Sequence, residues 1–143
     1  MADNKSTEDE LNIENNLSPT FTSNGFELTG EEGRFGMWDP ANEPKDILEF
    51  KANNQVTLYE FYFWGEEEEL VGETHRLVAT NENTREQKTF QERLIETNQN
   101  EEIPAQALSA GRVSFNEGET GSWLFKVYVD GKVHSSFSID VKD

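Results

Sequence analysis

Residues 121–141 hold two runs in which bulky apolar side chains alternate with polar ones, separated by Asp130-Gly131. The apolar positions are odd-numbered in both runs: Trp123, Phe125, Val127, Val129, Val133, Phe137, Ile139 and Val141. Directly opposed residues of a hairpin share a face, so odd positions must pair with odd ones. A two-residue Asp-Gly loop would pair odd with even. We therefore predict a three-residue loop, 129–131, closed by Gly131 in the left-handed region.

This register predicts four cross-strand pairs: Tyr128 with Lys132, Val127 with Val133, Phe125 with Ser135, and Trp123 with Phe137. The hairpin then has one continuous apolar face, which needs a covering layer. The sequence has no strong amphipathic helix, so a second sheet is the expected cover. The predicted fold class is an all-β, two-sheet antiparallel sandwich.

Short apolar runs between turn-forming residues predict further strands upstream. The predicted strands cover residues 25–29, 34–38, 46–51, 55–64, 71–79, 111–116, 121–129 and 132–141. Residues 55–64 are apolar on both faces, which is typical of a central strand covered on both sides or of an exposed aromatic patch. Residues 84–99 are predicted as strand or irregular, with a short helix as the alternative.

The carboxyl-terminal pattern "GETGSWLFKVYVDGK", followed by "SFSIDV", resembles the last two strands of bacterial immunoglobulin-like modules. The resemblance implies an immunoglobulin-like sandwich, a fold that commonly serves as a non-catalytic binding or spacer module. The cysteine pair and central tryptophan spacing of antibody-type domains are absent.

The length of 143 residues predicts one domain. We expect it to cover residues 23–143, preceded by a disordered acidic tail over 1–22; the alternative is that this tail is a tether or a segment that folds on a partner. As written, the start "MADNKSTEDE" is not expected to act as a secretion signal, because it has neither a basic start nor an apolar stretch. As written, the chain is expected to be cytoplasmic, or exported if it is a mature form; no membrane span is predicted.

The net charge of −17 argues against direct binding to nucleic acid or to anionic membranes. Residues 1–103 hold 24 acidic and 8 basic side chains, whereas residues 104–143 hold 5 and 4, so the acidity is regional. The chain has no cysteine and therefore no disulfide or thiolate metal site. No cofactor is predicted.

An aromatic strand that ends in four glutamates is the strongest candidate for a binding surface. The predicted binding residues are Trp64, Glu66, Glu67, Glu68, Glu69, Tyr59, Trp38 and Tyr128. Such a surface would dock a protein partner, possibly a basic one. The alternative is a solvated hairpin tip that keeps the protein soluble. Asp39, Glu43 and Asp46 are a weak candidate for calcium binding, and a proline-stiffened loop is the simpler interpretation.

No reaction is indicated by the sequence. His75 and His134 are predicted to be surface residues of strands, and Ser135-Ser136 lacks the turn that would expose a nucleophile. The predicted function is a non-enzymatic β-sandwich interaction module. One alternative is an acidic inhibitor, immunity protein or nucleic-acid mimic. The other is a carbohydrate-binding module that uses Trp38, Trp64 or Tyr128 as stacking platforms.

Overall fold

The computed structural model describes residues 17–143, which form two packed β-sheets and one short helix. Sheet I has the spatial order β1 (Thr20–Ser23), β2 (Phe26–Glu31), β3 (Phe35–Trp38), β5 (Thr57–Phe63), β10 (Ala107–Val113) and β9 (Glu96–Thr97). Sheet II has the order β4 (Phe50–Lys51), β12 (Lys132–Lys142), β11 (Gly121–Val129), β6 (Thr74–Asn81) and β7 (Gln87–Thr89), with β8 (Arg93–Leu94) also paired to β6. The helix α1 covers Glu67–Leu70. The predicted all-β sandwich is confirmed.

Most neighbouring strands are antiparallel, as predicted, but one edge of sheet II is not. β4 runs parallel to the end of β12, with Phe50 opposite Val141. Leu17 forms a second parallel bridge, to Ser138 of β12. The amino-terminal side of the described chain is thereby fastened to the carboxyl-terminal strand.

The β11–β12 hairpin pairs odd-numbered residues with odd-numbered ones, as predicted, but a different backbone feature causes this pairing. Its loop has two residues, Asp130 and Gly131, at φ values of 49° and 76°. The register then shifts between Tyr128 and Val127, which leaves His134 as an extra, bulged residue in β12. The bulge, and not a three-residue loop, brings odd positions opposite odd ones.

The four predicted cross-strand pairs are therefore wrong: the partner of Tyr128 is off by one residue, and the partners of Val127, Phe125 and Trp123 are off by two. The structure pairs Val129 with Lys132, Tyr128 with Val133, Val127 with Ser135, Phe125 with Phe137, and Trp123 with Ile139. Moving a register by two residues leaves every side chain on its original face. The hairpin consequently presents the predicted apolar wall to sheet I except at Val133, which pairs with Tyr128 before the bulge and is exposed.

Aromatic side chains dominate the core between the sheets. Its largest fully buried members are Trp123, Phe35, Phe61, Phe63, Phe115, Phe125 and Leu77. β5 is also covered on its outer face, where Tyr62 lies in a second cluster with Phe21, Phe26, Leu28 and Ile103. The prediction that residues 55–64 form a central strand covered on both sides is thus confirmed, with β5 lying between β3 and β10.

The remaining predictions had mixed outcomes. Residues 84–99 contain the short strands β7, β8 and β9 and no helix, so the helical alternative is wrong. Of residues 46–51, only Phe50–Lys51 is a strand. β1 begins at Thr20, so the boundary of the predicted tail at residue 22 is wrong. Residues 1–16 of that predicted tail lie outside the described residues.

Part of the free side of β12, near the bulge, is covered by a side chain and not by a strand. Upstream of Ser138, no described strand lies against this side of β12. Glu31, the last residue of β2, reaches across from sheet I, and its Oε1 accepts hydrogen bonds from Ser135 Oγ at 2.7 Å and Ser136 N at 3.4 Å. A carboxylate therefore occupies the open hydrogen-bonding positions next to the bulge.

Candidate functional site

The four consecutive glutamates lie at one end of the sandwich, in the connection between β5 and β6. Glu66 is extended, and Glu67–Leu70 forms the single turn of α1. The turn is closed by hydrogen bonds from Glu69 N to Glu66 O at 3.0 Å and from Val71 N to Glu67 O at 2.8 Å. Leu70 is buried and anchors the turn to the core. We call residues Glu66–Glu69 the acidic turn; all four side chains are exposed.

Trp64 precedes the acidic turn and ties it to sheet I. Its backbone N donates to Arg34 O at 2.9 Å, and its ring packs edge-on against Phe21 with centroids 5.6 Å apart. Gly65 N donates to Gln106 Oε1 at 3.0 Å. The tryptophan is half-buried, so part of its ring supports the fold and part remains accessible.

A cleft of about 760 Å³, which we call the end cleft, opens beside the acidic turn. Glu66, Glu68 and Glu69 line one side together with Trp64. The other side, which we call the cationic wall, carries Arg34, Lys132 and His134, with Asp130 beside them; Glu73 also lines the cleft. The two sides come from loops distant in sequence, and the basic residues lie on one of them only.

The cationic wall is built by the β2–β3 turn and the β11–β12 hairpin. The bulged His134 donates from Nε2 to Arg34 O at 2.8 Å, which joins these two elements. Within residues 17–143, neither Arg34 nor Lys132 has a carboxylate oxygen within 4.0 Å. The charges on both walls are therefore available to a partner. This wall is not visible in the sequence, because only the sheet order brings the two turns together.

The predicted binding residues separate into those at the end cleft and those elsewhere. Trp64, Glu66, Glu68 and Glu69 line the cleft, and Glu67 is exposed beside them. Trp38 packs edge-on against Phe26 at 5.1 Å in the outer cluster of sheet I. Tyr128 lies in sheet II with the guanidinium carbon of Arg76 4.8 Å from its ring centroid. Neither contributes to the cleft.

Tyr59 is not a surface residue, and its selection as a binding residue is wrong. Its side chain is buried against Phe50, with ring centroids 5.9 Å apart. Burial raises the pKa of Tyr59 to about 12. The even-numbered neighbours of β5 face the other side of the sheet, so the aromatic run does not form one exposed stripe.

The three residues of the weak calcium candidate are not brought together as a set of metal ligands. Asp39 Oδ1 accepts from Ala41 N at 2.9 Å, and Asp46 Oδ2 accepts from Glu43 N at 3.0 Å. These two carboxylates stabilise turns of the β3–β4 loop. In the part of the chain that the structure describes, no three His, Cys, Asp or Glu side chains are grouped closely enough to hold a metal ion.

His75 is buried, with 1% of its surface exposed, so its prediction as a surface residue is wrong. It lies on β6 at the same end as the cleft, opposite Val129 of β11. Its Nε2 is 2.9 Å from Ser109 Oγ of β10, which belongs to the other sheet. His134, by contrast, is partly exposed.

Comparison with known proteins supports the fold and indicates no activity. No protein-family model matches the chain, and no curated protein sequence matches it. Among solved structures, the chain is similar to the crystal structure of a "Putative Lipoprotein from Bacillus anthracis", with a TM-score of 0.59 and 17% sequence identity. The match covers 87% of this chain and 84% of that one. The two proteins share a β-sandwich fold across most of their length.

No helix within residues 17–143 is long and apolar enough to cross a membrane.

Proposed function

We propose that this chain is a non-enzymatic, immunoglobulin-like β-sandwich module that binds a basic protein partner through the acidic turn. The single observation that carries the proposal is the placement of four exposed carboxylates on a turn fixed by Leu70 and by backbone hydrogen bonds. A fixed turn does not have to be ordered on binding, which removes one cost of association. The half-buried Trp64 beside it offers an apolar contact.

The end cleft sets the orientation of the partner in this proposal. A basic segment would contact Glu66, Glu68 and Glu69, whereas Arg34 and Lys132 on the opposite wall would repel it or pair with its acidic residues. Because the basic residues Arg34 and Lys132 lie on one wall only, one direction of docking is favoured over the reverse. The regional acidity of residues 1–103 accelerates encounter with a basic partner.

The test replaces all four glutamates of the acidic turn with glutamine in the full chain. The partner is first co-purified with the tagged protein from cells that produce it, and its Kd is then measured. We expect the variant with all four substitutions to bind at least roughly tenfold more weakly at low salt, because several exposed charge contacts are lost together. The difference should shrink in high salt, where exposed charges are screened.

The matched control replaces four other exposed glutamates, Glu92, Glu96, Glu101 and Glu117, with glutamine. Both variants have the same net charge, so the control separates a local site from general acidity. We expect the control to bind within about twofold of the unmodified chain, as surface changes away from a site usually do. Equal weakening in both variants, or none in either, would reject the acidic turn as the docking site.

We also propose that the module works outside the cytoplasm. The support is the name of the structural neighbour, a lipoprotein of similar fold. In cells fractionated after expression of the natural gene, the protein is then expected in the envelope or secreted fraction. Recovery in the cytoplasmic fraction alone would reject this placement.

A further inference from the structure

The buried histidine of β6 makes a polar bridge between the two sheets. Ser109 Oγ of sheet I donates its hydroxyl proton to Leu94 O of β8 at 2.9 Å, so this oxygen can act only as an acceptor toward His75. His75 Nε2 must therefore be the donor to Ser109 Oγ, which places the proton of the neutral ring on Nε2. Within residues 17–143, Nδ1 has no hydrogen-bond partner.

Aromatic rings and a cation surround the imidazole. Phe61 and Phe63 of β5 pack against it from sheet I, with centroid distances of 5.3 and 5.5 Å. The charged side chain that acts on His75 is Arg93 of β8, its register partner, and this charge has the same sign as an imidazolium. From β10, the facing groups are Ser109 and the backbone of Ala110, and from β11 the register partner is Val129. No described carboxylate lies within 4.0 Å to balance a second proton.

We propose that His75 is an acid-sensitive latch: its neutral ring fastens sheet I to sheet II at the end of the sandwich that holds the end cleft, and protonation releases that end. The second proton would go to Nδ1, in an apolar enclosure beside Arg93. A buried charge with no carboxylate to balance it is strongly unfavourable, and the backbone of Ala110 offsets only part of that cost, so the ring moves to water. Release does not depend on what the acidic turn binds, and the inference stands independently of the proposed function.

The direction of the pH effect follows from the same surroundings. Burial is the main cause that lowers the pKa of His75, the backbone of Ala110 partly opposes it, and Arg93 adds a smaller lowering; together they take the pKa from 6.5 to about 4. The opened form takes up a proton near pH 6.5, whereas the closed form does so only near pH 4. The latch is therefore fully closed above pH 6.5 and weakens progressively as the pH falls to about 4. Over this interval the closing equilibrium changes by up to about 300-fold, since each pKa unit is a factor of ten.

The experiment compares the unmodified chain with His75→Gln between pH 7 and pH 4. Glutamine keeps hydrogen-bonding groups but does not titrate. Amide hydrogen exchange, corrected for the intrinsic pH dependence, is followed for β6, β8 and the start of β10, which surround the latch, and for β4 and the end of β12, which do not. In the unmodified chain we expect protection around the latch to fall by more than tenfold as the solution is acidified, while the distant strands keep theirs.

The matched control is His134→Gln, which removes the other histidine of the chain. It should keep the acid-dependent loss near the latch, even where removal of its hydrogen bond to Arg34 O lowers protection at every pH, whereas His75→Gln should show no acid-dependent loss there. Protonation of the many carboxylates affects all three proteins alike, so the comparison isolates His75. Equal acid sensitivity in His75→Gln and the unmodified chain would overturn the proposal.

A second measurement does not require the variant to fold. The imidazole carbon-bound protons of both histidines are followed by NMR in the unmodified chain. We expect His75 to titrate well below pH 6 while the chain is folded. A titration of His75 near pH 6.5 in the folded protein, with no change in exchange, would contradict the latch.

Discussion

Replacement of Gly30 with alanine is expected to destabilise the sandwich by at least about 4 kcal/mol, or to prevent the chain from accumulating in soluble form. Gly30 lies in β2 at φ +150°, and a Cβ atom there would be 2.2 Å from Phe35 O. That oxygen cannot withdraw easily, because β2 and β3 are paired on both sides of it, through Gly30–Gly36 and Glu31–Phe35. The collision is with backbone, which a change of rotamer cannot relieve.

Gly33→Ala is the control for this prediction. Gly33 also has a positive φ, +78°, but a Cβ atom there would have no neighbour within 4 Å. Its expected cost is only that of a left-handed alanine, about 1–2 kcal/mol. Urea unfolding of both variants gives the comparison. Similar losses in the two proteins would show that close packing at Gly30 has no special role.

Trp123→Ala is expected to lower the free energy of unfolding by about 3–5 kcal/mol. The indole is fully buried, lies 5.1 Å from the Phe115 ring centroid, and donates from Nε1 to Glu119 O at 3.0 Å. Alanine would leave a large cavity in the centre of β11 and an unsatisfied carbonyl. Because typical domains have only about 5–15 kcal/mol of stability, this is a large fraction of the total.

Trp123→Phe tests how much of the lost stability comes from the cavity and how much from the lost hydrogen bond. Phenylalanine retains an aromatic ring in the core but removes the donor to Glu119 O. Chemical denaturation should therefore place it between the unmodified protein and Trp123→Ala. A loss below about 1 kcal/mol for the alanine variant would mean that the surrounding aromatic rings collapse into the space, contrary to the expected rigid core.

Alternation of apolar residues predicted much of the fold, because a strand must keep one parity toward the core. It placed Trp123, Phe125 and Val127 on the inner face of β11 correctly. It did not predict the bulge at His134, because a three-residue loop and a two-residue loop followed by a bulge both restore the same parity. The spacing of apolar side chains cannot distinguish two backbone conformations that place those side chains on the same face.

The candidate site was predictable only where it is continuous in sequence. Glu66–Glu69 could be recognised as a run of charge, although a turn of helix replaces the expected hairpin tip. Arg34 and Lys132 could not, because they are nearly a hundred residues apart and meet only through sheet packing. Tyr59 and His75 were misplaced for a related reason: a polar group on an apolar strand does not reveal which face is buried.

Glu31 bears on how molecules of this protein behave when they are crowded together. An unpaired strand border invites a neighbouring molecule to add its own strand, and repetition of that step leads to fibrils. With a carboxylate seated on Ser135 and Ser136, an incoming chain would have to displace a negative charge before it could form its first backbone bond to β12. The same side chain that joins the sheets within one molecule thus discourages the joining of sheets between molecules.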